Sequence, residues 1–125
     1  MMLSLPASVR IWLATQPTDL RKSFDSLAEV VRQHLRADPL SGQLFVFKNK
    51  RGDRIKLLYW DEDGYVILYK RLEVGTFRFP PADDQGVQIR AADLQMLLDG
   101  VDPGSVKRSR RYQRPAPPSS APDPS

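Results

Sequence analysis

The stretch from Leu44 to Arg71, LFVFKNKRGDRIKLLYWDEDGYVILYKR, constrains the fold more than any other part of the chain. Three runs rich in aliphatic and aromatic residues, Leu44–Lys48, Arg54–Trp60 and Tyr65–Arg71, are separated by Gly52-Asp53 and Asp63-Gly64. Glycine reaches backbone angles closed to other residues, so each pair reads as a hairpin turn. The simplest arrangement is an antiparallel meander. Side chains alternate across a strand. If both turns hold an even number of residues, one face collects Leu44, Val46, Ile55, Leu57, Tyr59, Val66 and Leu68. The other collects Phe45, Phe47, Arg54, Lys56, Leu58, Trp60, Tyr65, Ile67, Tyr69 and Arg71. An odd turn would scramble both sets, because a one-residue slip flips every side chain.

The aliphatic face needs a cover. Upstream, Leu20, Phe24, Leu27, Ala28, Val31 and Leu35 recur at three- and four-residue intervals, which predicts a long helix with Thr18 or Asp19 as its cap. Phe24 belongs to its buried stripe. Asp38-Pro39 ends the helix, and Val9–Ala14 before it reads as a short strand. A further strand is expected at Thr76–Phe79, followed by a polar loop. A short C-terminal helix over Ala91–Leu98 turns Leu94, Leu97 and Leu98 to one side. The fold class is α+β: a long helix packed on an antiparallel meander of three to five strands, with a short C-terminal helix. Residues 1–102 form a single domain. Residues 103–125 hold five prolines between 115 and 125 and lose apolar periodicity, so they read as a basic, then Pro/Ser-rich, disordered tail.

Charge is concentrated rather than large. Residues 1–100 carry 14 Lys/Arg against 13 Asp/Glu, and residues 101–125 carry five against two. Within residues 48–56, Lys48, Lys50, Arg51, Arg54 and Lys56 face Asp53 alone. Two positive zones on a near-neutral body attract polyanions. Nucleic acid is the first candidate partner and an acidic protein the second. Lys48, Lys50, Arg51, Arg54, Lys56 and Arg71, with Lys107, Arg108, Arg110 and Arg111 in the tail, are the candidate phosphate contacts. The ring-bearing sheet face has two readings: a core packed under the C-terminal helix and Thr76–Phe79, or a surface on which Trp60, Tyr65 and Tyr69 receive bases or a protein partner.

The catalytic chemistry considered finds little support. Asp61-Glu62-Asp63 lie adjacent in one turn, which favours a turn signal over a metal site. One histidine, His34, and no cysteine leave zinc poorly supported. There is no phosphate-cradling glycine loop, and no cofactor is implied. The N-terminus has neither a signal peptide's basic start nor a membrane-length apolar run, so a cytoplasmic protein that contacts no membrane is expected. The chain reads as a non-enzyme.

Three segments together, TDLRKSFDSLAEVV (18–31), DPLSGQLFVFKNKRGDRIKLLYWDEDGYVILYKRLEVGTFRFP (38–80) and LQMLLDGVD (94–102), resemble the accessory proteins called TnpB, the second open reading frame of the insertion sequence sixty-six family. The resemblance runs from about Val9 to Asp102. Matching positions are Asp19, Arg21, Lys22, Phe24 and Asp25, then Asn49, Arg51, Gly52, Asp53, Lys56, Tyr59, Trp60, Asp61, Gly64, Tyr69, Lys70 and Arg71. Leu20 stands where methionine is common in the family. The resemblance implies a role in transposition beside a separate, larger transposase that carries the catalytic acids. It brings no catalytic residue to this chain. The expected function is therefore a non-catalytic accessory protein of a bacterial transposable element that binds DNA through the basic hairpin loop and tail. The alternative is an adaptor that binds the element's transposase without touching DNA. Steep salt dependence marks the first, and weak salt dependence the second.

Overall fold

The computed structural model of the protein describes residues 8–80 and 86–100. Its elements in chain order are β1 (Ile11–Ala14), α1 (Phe24–Val30, continued by a π-helical turn Val31–Leu35), β2 (Leu44–Lys48), β3 (Arg54–Asp61), β4 (Gly64–Arg71), β5 (Gly86–Ile89) and α2 (Ala91–Leu98). The expected boundary at residue 102 and the tail of residues 103–125 lie outside the described residues.

The meander β2–β3–β4 pairs antiparallel, with Phe45 opposite Leu58 and Leu57 opposite Leu68. It is only part of a larger mixed sheet, ordered β4-β3-β2-β1-β5. β1 joins β2 in parallel, which the crossover through α1 permits. β5 then pairs antiparallel with β1. The fourth strand of the sheet is thus not Thr76–Phe79. That segment packs on the hairpin base instead: the Phe77 N–H donates to the Gly52 carbonyl at 2.8 Å, and the Phe77 ring is buried. β5 comes from what reads as a polar loop, where Val87 and Ile89 alternate with the exposed Gln88.

Both turns are even, so the division of the sheet into two faces holds. The helices covering them are exchanged relative to expectation. The aliphatic face (Leu44, Val46, Ile55, Leu57) packs with Ile11, Leu13, Phe77 and the leucines of α2. The ring-bearing face (Phe45, Phe47, Leu58) packs with Leu20, Leu27, Ala28 and Val31. The parallel crossover β1–α1–β2 decides this: its hand puts α1 on one face of the sheet and leaves the other face to α2.

α1 is also shorter than its apolar stripe. Asp19 does not cap it, because its carboxylate receives the Arg21 guanidinium at 2.7 Å and the Arg21 N–H at 3.0 Å. The helix opens instead at Ser23, whose carbonyl accepts from Leu27 at 2.8 Å and whose N–H donates to Ser26 Oγ at 3.0 Å. Phe24, in the first turn, is 45% exposed, against the expectation of a core position. Leu20 is buried from the preceding loop. At the far end Arg36 takes a left-handed φ of 54° and Ala37 N–H reaches back to the Val31 carbonyl at 3.2 Å, closing the widened last turn.

Candidate nucleic-acid interface

Two of the five basic residues in 48–56 sit at the hairpin tip, and local hydrogen bonds fix that tip. The Asn49 side chain is its organiser. Its Oδ1 accepts from the N–H groups of Gly52 at 2.9 Å and Arg54 at 3.0 Å, while its Nδ2 donates to Asp53 at 2.8 Å. Gly52 adopts φ +81°, a region L-residues rarely enter, and is buried under Thr76. Thr18 N–H donates to the Lys48 carbonyl, and Leu72 N–H to that of Asp53, both at 2.8 Å. The loop's backbone is thus tied to the β1–α1 connection, to the end of β4 and to Phe77. Lys50 and Arg51 project from it, exposed, and neither makes an ion pair among the described residues.

Beside the tip lies an open cleft of about 430 Å³, walled by Pro17, Thr18, Asp19 and Leu20 on one side and Asn49, Lys50 and Arg51 on the other. Asp19 is its only acid, and Arg21 engages it. That contact holds the Asp19 carboxyl well below the usual carboxylate range. Asp53 is held low chiefly by the hydrogen bond from Asn49, with Arg51 and Arg54 adding attraction. Both acids of the region are therefore committed to local partners. Among the described residues Lys50 and Arg51 make no ion pair, and Asp53 is the loop carboxylate that attracts Arg51.

A second group of cations sits on the ring-bearing face, beyond the cover of α1. Arg54 stands directly opposite Arg71, and Lys56 opposite Tyr69. Tyr69 is half exposed. Lys56 Nζ lies 4.9 Å over its ring and donates to the Lys22 carbonyl at 2.8 Å, so it spans from the start of α1 to β4. Arg54 donates to the Tyr69 hydroxyl at 3.2 Å, a bond that raises its pKa above the ordinary guanidinium value. Arg71 meets Glu73 at 2.9 Å. Two arginines facing each other across a ladder repel unless an anion lies between or beside them.

The remaining candidates separate. Lys48 points to the opposite face, its Nζ 4.7 Å over the Phe79 ring. Trp60 and Tyr65 stack edge to face at 5.1 Å, and Tyr65 packs partly into the core under α1. Tyr69 is the one ring of the three that stands largely in solvent. Lys107, Arg108, Arg110 and Arg111 lie outside the described residues. Asp61, Glu62 and Asp63 form the β3–β4 turn, and no metal-holding group of acids and histidines occurs among the described residues. Here too the turn differs in detail: Glu62, and not Gly64, takes the positive φ, 55°.

Comparison with known proteins decides the family. The family model described as IS66 Orf2 like protein matches residues 9–108, most of the chain. The chain belongs to this family. Two relatives of the IS66 Orf2-like protein occur in Sinorhizobium fredii (strain NBRC 101917 / NGR234). Uncharacterized protein y4jC is 39% identical over 107 residues, covering 86% of this chain and 92% of its own. Uncharacterized protein y4hO is 41% identical over 101 residues, covering 81% and 88%. No solved structure matches. Membership places the chain among the accessory proteins of insertion sequences.

In this IS66 Orf2-like protein seven of the motif positions named from sequence fall into two roles. Asn49, Gly52 and Asp53 build the loop, and Arg51, Lys56, Tyr69 and Arg71 lie on the surface that it flanks. Sequence reasoning overlooked Asn49 as organiser and Lys22 as the anchor of Lys56. An asparagine followed by Lys-Arg-Gly-Asp was a signal for the first, since a short amide readily bonds backbone groups in a turn. Nothing in the sequence pointed to the second.

Proposed function

We propose that the protein is a non-catalytic accessory factor of insertion-sequence transposition that grips the DNA backbone. Lys50 and Arg51 at the rigid tip hold phosphates, as do Arg54, Lys56 and Arg71 around Tyr69, and the tail cations Lys107, Arg108, Arg110 and Arg111 add affinity. The observation that carries this reading is the pair of exposed cations, Lys50 and Arg51, on a loop braced by the Asn49 side chain, with no ion pair to either among the described residues. A preorganised loop loses little entropy on binding, and phosphate contacts position a protein without reading sequence. The reading predicts that the double variant Lys50→Ala, Arg51→Ala weakens binding to element-end and random duplexes alike. In gel-shift titrations at several salt concentrations, each phosphate that the variant no longer neutralises flattens the log–log salt slope by about 0.9. Wild-type affinity of the variant at low salt, with transposition lost in cells, would falsify the clamp.

The adaptor reading keeps one specific support, the half-exposed Tyr69, whose ring lies under the Lys56 ammonium that also reaches the Lys22 carbonyl just before α1. A transposase interface anchored there responds weakly to salt and is lost on Tyr69→Ala with DNA affinity retained.

A further inference from the structure

β4 is an edge strand of eight residues, and among the described residues no strand pairs with its outer side. The direction of its backbone groups follows from hydrogen bonds at the hairpin base. Asn49 N–H donates to the Arg54 carbonyl, so Arg54 turns its backbone toward β2. Backbone groups alternate sides along a strand, so Ile55, Leu57, Tyr59 and Asp61 turn toward β4. Their partners there are Lys70, Leu68, Val66 and Gly64. Leu72 N–H donating to the Asp53 carbonyl fits the same parity. The N–H and C=O groups of Tyr65, Ile67, Tyr69 and Arg71 therefore point away from the sheet.

Natural edges of this length are usually blunted by proline, a bulge or an inward charge. β4 has no proline, and its register runs unbroken from Asp61↔Gly64 to Arg54↔Arg71. Its middle, Tyr65 to Tyr69, carries no charge. What charge it has is split between its ends. Glu62 and Asp63 lie at the start, and Lys70 and Arg71 at the finish. Such a strand is complementary to itself reversed.

We propose that two copies of this chain pair antiparallel through β4, about a two-fold axis at Ile67, to form one continuous sheet. With Ile67 opposite Ile67, Tyr65 of each copy meets Tyr69 of the other, and Asp63 meets Arg71. These facing residues are the ones whose backbone groups point outward, so each strand pair exchanges its ladder bonds fully. Moving the axis by one residue toward α2 in sequence puts Asp63 against Glu73, a like-charge contact. Moving it the other way puts Asp63 against Tyr69. Arg71 gives up its bond to Glu73 in the process, and that pair is exposed and worth little. The contact shares Tyr69 and Arg71 with the second group of cations in the DNA reading, while Lys50 and Arg51 lie off this edge, so failure of the tip clamp and failure of the dimer are distinguishable.

Sedimentation equilibrium of the full chain across a concentration series tests it, together with amide hydrogen exchange. A two-fold mass is expected, with exchange at Tyr65, Ile67, Tyr69 and Arg71 slowing as concentration rises. The amides of Val66, Leu68 and Lys70 stay protected at every concentration, because they bond β3. Asp63→Lys and Arg71→Glu alone are each expected to raise the dimer dissociation constant about tenfold, and the double swap to return it to within about threefold of wild type. Ile67→Pro, which removes an outward N–H together with some side-chain packing on the core under α1, gives a monomer with native circular dichroism. A monomer throughout the series overturns the proposal. So does a dimer that neither the charge swaps nor the alternating exchange pattern tracks, whatever Ile67→Pro does to folding.

Discussion

Phe24 and Leu27 sit three residues apart on the same helix and have opposite fates. Leu27 is fully buried between α1 and the phenylalanines of β2, whereas Phe24 lies outside that contact. Leu27→Ala is therefore expected to cost about 2–5 kcal/mol in denaturant unfolding, and Phe24→Ala less than about 1 kcal/mol. A helical period marks Phe24 as part of the stripe, but the period cannot say where the helix leaves its neighbour. Glu62 makes a similar point about turns. It holds a left-handed φ that costs an ordinary L-residue about 1–2 kcal/mol, less what glycine loses in the unfolded chain. Glu62→Gly should raise stability by about 0.5–1 kcal/mol, read as a higher denaturant midpoint with an unchanged slope.

At the scale of elements, the loop between β2 and β3 depends on one amide. Asn49→Ala removes three hydrogen bonds and takes the acceptor from the Arg54 N–H, while the Gly52 N–H keeps the Asn49 carbonyl at 3.1 Å, a loss of about 1–3 kcal/mol. The change also has a pH signature. Asp53 has a lowered pKa in the folded state, so its contribution is present above its unfolded value and is lost as pH falls through the folded one. Without Asn49 most of that contribution is absent already at neutral pH, so the stability gap between wild type and variant should be widest there and narrow as pH falls through the carboxylate range. The meander, its two faces and α2 were legible in the sequence because alternation and turn residues are local signals. The partner of each face was not, since nothing local distinguishes which helix covers which side. β5 was visible as Val87 and Ile89 around Gln88 but was outweighed by the polar residues before it. The cations of the candidate site were legible as charge density. Their grouping into a tip and a cluster around Tyr69 needed the strand register.

On the scale of the whole molecule, the described residues that build both cores run from Val9 to Leu98. Deleting residues 103–125 is accordingly expected to leave the thermal midpoint nearly unchanged while flattening the salt slope of DNA binding. Scanning calorimetry of the truncated protein checks the first, and loss of a cooperative transition there would show that the tail contributes to the fold. Among the described residues, no helix is long and apolar enough to cross a membrane.

The pairing of β5 with β1 ties one end of the described chain to the other, and this sets an order on biosynthesis. Once β4 has been made, the aliphatic side of the meander still waits for α2, and β1 still lacks its outer neighbour. At ordinary translation speeds the ribosome needs roughly one to five seconds to add the residues from Leu72 to Leu98. During that interval the nascent protein shows a greasy half-sheet with open edges on both sides. A message cut short after β4 would leave that state permanent, making such a product a natural target for chaperones and proteases.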